Sequence, residues 1–211
     1  MSKSLTIHHQ DTLEDHPDTR SPDTHQDPFA KTVFGFWLYL MTDCLLFATL
    51  FCTFAVLHNS TYGGPSARIL FHLPTVFGET MILLFSSFIC GCSMLYALRN
   101  AKTKVMLCLI VTFLLGVSFL FIELSEFTDI VQGGHSWQDS AFLSSYFTLV
   151  GTHGLHITFG MLWIAVMIAQ IYRLGVTTNT FRRLAVLNMF WHFLDVVWIF
   201  IFTFVYLMGV I

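Results

Sequence analysis

The chain has 211 residues, 55% hydrophobic and only 11% charged, with 23 Phe and a net charge of −3 from ten basic and 13 acidic residues. So apolar a composition, with a positive mean hydropathy, excludes a soluble globular domain and puts the chain in a membrane. The charges are bunched, leaving five apolar stretches near 33–57, 73–98, 105–122, 141–172 and 184–211, each long enough to cross a hydrocarbon core of about 30 Å.

Residues 1–30 precede the first stretch with six acidic residues and four His but no apolar run. They are expected to form a flexible hydrophilic tail rather than a cleavable signal peptide, with histidines in solvent rather than on a metal. Residues 31–211 are expected to form one transmembrane domain, an all-α bundle of five helices. The first stretch carries Asp43 with Cys44 and Cys52, the second Glu79 with Cys90 and Cys92, and Cys108 lies in the third. All five cysteines fall within predicted spans and not in external loops where disulfides form. Cys90 and Cys92, two apart on a helix, point to different faces, which suits packing and not a metal pair.

Orientation follows from the basic residues. Lys3, Arg20 and Lys31 precede helix 1, Arg99, Lys102 and Lys104 lie between helices 2 and 3, and Arg173, Arg182 and Arg183 lie between helices 4 and 5. Only Arg68 falls on the other side. The positive-inside rule therefore puts the N-terminus in the cytoplasm and the C-terminus in the periplasm. The predicted 125–140 loop, with Glu126, Asp129 and Asp139 and no Lys or Arg, agrees.

Ionisable groups inside a membrane are costly and normally face protein or water, so each is a functional candidate. Here they are Asp43, Glu79, Glu123, His153, His156, His192 and Asp195. Counting about 1.5 Å per residue from the nearest basic residue on the cytoplasmic side places Glu79, Glu123 and His153 roughly 28–30 Å deep and His156 about 26 Å. The same count puts Asp43 and Asp195 roughly 18 Å deep and His192 about 14 Å. An outer and an inner polar tier result.

His153 and His156, in "GTHGLHITFG", lie three apart and so on one helical face. A six-coordinate haem needs its axial ligands on opposite sides of the ring, which this pair cannot supply, and His192 is about 12 Å away in depth. A single axial histidine stays compatible with the spacing. Ser86 and Ser87 in "LFSSFIC" lack the glycine flanks of a nucleophile turn and suit helix packing. Ser144, Thr148, Thr152, His156 and Gly160 recur every fourth residue, a small and polar stripe of the kind at which membrane helices approach. The expected role of the polar residues is therefore tethering: His153 or His156 to Glu79 or Glu123, and Asp195 or His192 to a neighbour. A proton relay through the tiers is the rival.

Three motifs carry a resemblance: "GFWLYLMTDCLLFATLF" in helix 1, "GTHGLHITFG" in helix 4 and "WHFLDVVWIFIFTFVYL" in helix 5. With "HNSTYGGPS" and "ETMILLFSS", they make residues 31–211 similar to the subunit III family of haem-copper oxidases, in particular its cytochrome bo-type ubiquinol oxidase branch. The resemblance implies a non-catalytic subunit in the bacterial inner membrane, packed with subunits 1, 2 and 4 of a proton-pumping respiratory oxidase and with no nucleic acid partner. It implies haems and copper in the partner catalytic subunit, no cofactor on this chain, bound phospholipid, and a part in assembly and in sustaining proton uptake. The family's intramembrane carboxylate is commonly Glu; here the position is Asp43, one methylene shorter. The competing function is an independent carrier or proton channel built on the polar tiers.

Overall fold

The computed structural model describes residues 28–57, 73–133 and 140–207. Much of the expected tail, the segment between the first two helices, Gly134–Asp139 and the last four residues lie outside the described residues. Five helices are long and apolar enough to cross a membrane: α1 (Pro28–Leu57), α2 (Leu73–Leu98), α3 (Lys102–Gln132), α4 (Ala141–Leu174) and α5 (Thr178–Ile201), the last continuing as a π-helical turn, Phe202–Leu207. No strand occurs among the described residues.

The boundaries follow local chemistry. Ser140 caps α4 by accepting from the Leu143 amide at 3.1 Å, and Thr177 caps α5 by accepting from the Thr180 amide at 3.3 Å, each satisfying an amide that the first turn leaves free. Gly175 ends α4 at φ 73°, a conformation open to glycine. The turn between α2 and α3 uses Asn100 at φ 53°, a left-handed position that asparagine tolerates better than most residues.

α3 differs most from expectation, running to Gln132 where the sequence places its end near 122. Glu123, Glu126 and Asp129 look like loop residues in a hydropathy profile. Backbone bonding in a helix is indifferent to that, and Glu123 is 3% exposed because it faces the bundle. Glu126 and Asp129 therefore stand on the last turns of α3, not in a loop. Similarly, α1 begins at Pro28, where the missing amide costs nothing in a first helical turn, and α5 begins at Thr178 rather than near 184.

Helices α2, α3, α4 and α5 pack in a ring, each on the next, and α1 lies outside against α4 and α5. The core between them is aromatic: Trp191, Trp198, Tyr146, Tyr206 and Phe119 are all fully buried. The outward faces are apolar too, with Phe34, Phe121 and Phe159 at least 67% exposed, as expected where the solvent is hydrocarbon.

Candidate functional site

α2 and α5 run antiparallel, and polar side chains join them at three levels. Trp198 Nε1 donates to Thr80 Oγ1 at 3.1 Å, and Trp191 Nε1 donates to Ser86 Oγ at 3.2 Å. Ser87 Oγ and His192 Nδ1 share a hydrogen bond of 2.6 Å, and the Asp195 carboxyl lies beside the same serine. Seven residues along α5 correspond to six back along α2. Ser86, Ser87 and Thr80 thus serve helix packing, each against a side chain from α5.

The histidines of α4 serve other contacts. His153 is fully buried, its Nε2 3.3 Å from the Leu194 carbonyl of α5, a long hydrogen bond. Its ring packs on Trp198 at 5.1 Å and edge-on to Phe119 at 6.0 Å between centroids, aromatic spacings worth about 0.5–1.5 kcal/mol each beyond buried area. His156 Nδ1 bonds the Thr152 carbonyl of its own helix at 2.8 Å. That turns Nε2 outward to 3.8 Å from Asp43 Oδ2 on α1, beyond hydrogen-bond length but close enough for electrostatic attraction. Phe47 of α1 lies 5.2 Å from the His156 ring.

The pairings therefore differ from those expected. His156 stands next to Asp43 rather than an outer-tier carboxyl, and His153 meets a backbone carbonyl. The depth count started each helix at its own basic residue, and those residues need not share one height once helices tilt. Glu79 and Glu123 are 0% and 3% exposed, and none of their carboxyl oxygens has a hydrogen-bond partner among the described residues. Glu123 lies against Gly154 of α4, where a built Cβ comes within 3.4 Å of Oε1. The small-polar stripe of α4 is also used differently: Thr148 and Thr152 bond back to the carbonyls of Ser144 and Thr148. Of the stripe, His156 approaches Asp43 of α1 and Gly160 lies against Trp191 of α5.

Several side chains that matter escaped the sequence reading. Tyr146 and Tyr206 share a hydrogen bond of 2.9 Å between α4 and the π-helical turn, and Tyr206 is 3.5 Å from Glu126. The seven-residue spacing of Trp191 and Trp198, which puts both indoles on one face of α5, is a signal for the inner seam. Two clefts adjoin at Trp163. One, about 710 Å³, lies between α1 and α4 and is lined by Phe36, Tyr39, Leu155, His156 and Phe159 among others. The second, about 420 Å³, is lined by Thr32, Asn179, Arg182 and Arg183. Among the described residues, no three His, Cys, Asp or Glu side chains gather where they could hold a metal.

Comparison with known proteins decides the family: the model of cytochrome c oxidase subunit III matches residues 23–210. The chain belongs to the cytochrome c oxidase subunit III family. It is 53% identical to the cytochrome bo(3) ubiquinol oxidase subunit 3 of Pseudomonas aeruginosa, over 89% of this chain and 90% of that protein. It is 51% identical to the protein of that name from Pseudomonas putida, over 88% and 89% of the two chains. A cytochrome c oxidase subunit 3 from Bacillus sp. (strain PS3) is 45% identical over 84% of this chain and 86% of its own length. With five spanning helices, this member of the family is a multi-pass protein of the bacterial inner membrane.

Proposed function

We propose that the chain is a non-catalytic subunit of a terminal ubiquinol oxidase, supporting the subunits that oxidise quinol and reduce oxygen while adding no redox centre of its own. Relatives more than 50% identical bear that subunit's name. One observation carries the non-catalytic reading: the deep histidines are spent on the bundle itself. His192 ties α5 to α2 through Ser87, His153 joins α4 to α5, and His156 brings α4 to α1 beside Asp43. Interhelical contacts of this kind average about 0.6 kcal/mol in a membrane protein, small singly but additive across a bundle. A carrier or channel would need these groups linked by a wet route. Instead Asp43 and His156 lie on the α1 side, Ser87, His192 and Asp195 lie on the α2 side, and Phe47, Phe193 and Trp198 pack around His153 and His156.

The paired clefts support lipid binding as part of this role. The larger is lined mainly by apolar side chains and offers about 710 Å³ for acyl chains. The smaller presents Arg182 and Arg183, whose hydrogen bonds go to the neutral Asn179 and Gln170 and not to a carboxylate, so both keep their charge available for a phosphate. A phospholipid with its headgroup at the arginines and a chain along Leu155 and Phe159 fits both. The basic end faces the cytoplasm in this reading.

Deleting the chain from its host tests the function. The oxidase should keep its haem spectrum and initial oxygen consumption but lose activity faster over successive turnovers and in detergent. Loss of the haem signals themselves, or unchanged endurance, contradicts a supporting role.

A further inference from the structure

Two carboxyls sit inside the bundle with no protein atom to bond. Glu79 of α2 is 0% exposed and Glu123 of α3 is 3% exposed, and all four of their oxygens are buried without a hydrogen-bond partner among the described residues. They lie within electrostatic reach of each other and of Glu126, three residues further along α3. Gly154 of α4 faces Glu123, where a built Cβ would stand 3.4 Å from Oε1 and 3.6 Å from Oε2, so the helix wall beside this carboxyl carries no side chain. Lysines and arginines are distant among the described residues: Arg99 follows Glu79 by 20 residues and Lys102 precedes Glu123 by 21, roughly 30 Å along a helix in each case. The other titratable groups on the surrounding elements are Tyr146 and His153 of α4, and Asp195 and Tyr206 of α5 and its π-helical turn. His153 Nε2 is taken by the Leu194 carbonyl, and Asp195 lies beside Ser87. A bare carboxylate buried away from positive charge is very costly, and a buried polar group without a protein partner is ordinarily satisfied by a proton, a water or an ion.

We propose that Glu79 and Glu123 form an internal site for protons and water, filled from the end of the bundle away from the arginines by way of Glu126, Tyr206 and Tyr146. Glu126 is half-buried and forms the outer end of the string. The Tyr206 hydroxyl stands 3.5 Å from its Oε2 and 2.9 Å from the Tyr146 hydroxyl, and both rings are fully buried. A hydroxyl can accept one proton while giving up its own, so the pair carries a proton inward with no net change at either tyrosine. Because the oxygens of Glu79 and Glu123 bond no described protein atom, water makes the last step, and two buried carboxyls supply the several polar partners an enclosed water needs. Tyr206 belongs to the π-helical turn that ends α5, a wider winding frequent at functional positions. The site is one-ended. Deeper in the bundle Leu83, one turn from Glu79, Phe119, one turn from Glu123, and Trp198 are at most 1% exposed, and Thr80 of α2 holds the Trp198 indole in place. This apolar plug parts the pair from Asp43 and His192, so protons enter and leave by one face and do not cross. The site is built from this chain's own residues and is independent of the proposed function.

Infrared difference spectra of the full chain, purified with whatever subunits accompany it, test this in light and heavy water at neutral pH. Parent minus Glu79→Gln and parent minus Glu123→Gln should between them contain the carbonyl band of a protonated carboxyl, and that band should shift when the medium is changed to heavy water. Tyr206→Phe should keep the band and slow the shift several-fold, an effect that a purely structural tyrosine would not have. Asp43→Asn, on the far side of the plug, should change neither the band nor its rate of exchange. Where a Gln variant fails to insert, Glu79→Asp or Glu123→Asp keeps a carboxyl and should move the band instead of removing it. Difference spectra that hold only ionised carboxylate bands, as a bound cation would give, would overturn the proposal. So would a band that exchanges as fast in Tyr206→Phe as in the parent, or one that never exchanges. Haem-bearing partners in the same preparation report separately on the proposed function, so the two readings fail independently.

Discussion

Trp191 sets the spacing of four helices with one side chain. Its indole nitrogen donates to Ser86 of α2, and its ring passes so close to Gly116 of α3 and Gly160 of α4 that built Cβ atoms would lie 3.1 Å and 2.9 Å from it. Neither glycine is needed for its backbone angles; both are needed for the room. Gly160→Val should therefore force the indole aside and cost about 1–3 kcal/mol by overpacking, read as a lower midpoint in thermal unfolding of the detergent-solubilised protein. Gly35→Val, placed in open space, should leave that midpoint unchanged. Asp43 offers a second comparison: Asp43→Asn keeps a polar partner for His156 and should hold α1 in place. Asp43→Leu leaves the ring facing carbon and should loosen α1, seen as faster proteolysis near residue 58. Equal behaviour of the two variants would mean that the 3.8 Å approach contributes nothing. The sequence names both residues of this pair but not their meeting, because their heights depend on helix tilt, which no residue count contains.

At the level of helices, five spans were legible from hydropathy alone, but ends set by a turn's own chemistry were not: Thr177 caps α5 well before the apolar stretch that starts near 184. Nor was the end of α3, since Glu123 and Glu126 read as polar punctuation although one is buried among helices and the other meets Tyr206. The seam between α2 and α5 was half legible: Ser86 and Ser87 stood out as packing residues, but their tryptophan and histidine partners lie more than a hundred residues away. The α2–α3 turn gives a local prediction. Asn100, at φ 53°, should tolerate replacement by Gly, while Asn100→Val should cost about 1–2 kcal/mol through left-handed strain, measurable as a lower unfolding temperature. Orientation gives another. In intact cells an impermeant thiol reagent should label a cysteine placed at Gly134 and not one at Thr178, and the reverse pattern would invert the bundle.

On the scale of the whole molecule, the chain is a ring of four helices with a fifth laid against it, with the tryptophans and a histidine of α5 fastening it to α2. Apolar side chains cover the outside, with two features that lipid tails alone do not explain: the arginine-lined cleft beside Trp163 and the exposed His192. Under the proposed function the cleft seats a phospholipid. The central claim is that this protein supports an oxidase without carrying its redox chemistry. Purification through a tag on this chain in mild detergent, followed by the visible spectrum and subunit composition of what elutes, tests it most directly. The account predicts larger haem-bearing subunits in fixed proportion, and loss of the haem spectrum from this chain once those subunits are stripped away. A chain that elutes alone or as a homo-oligomer, or that keeps a stoichiometric Soret band after stripping, would contradict it.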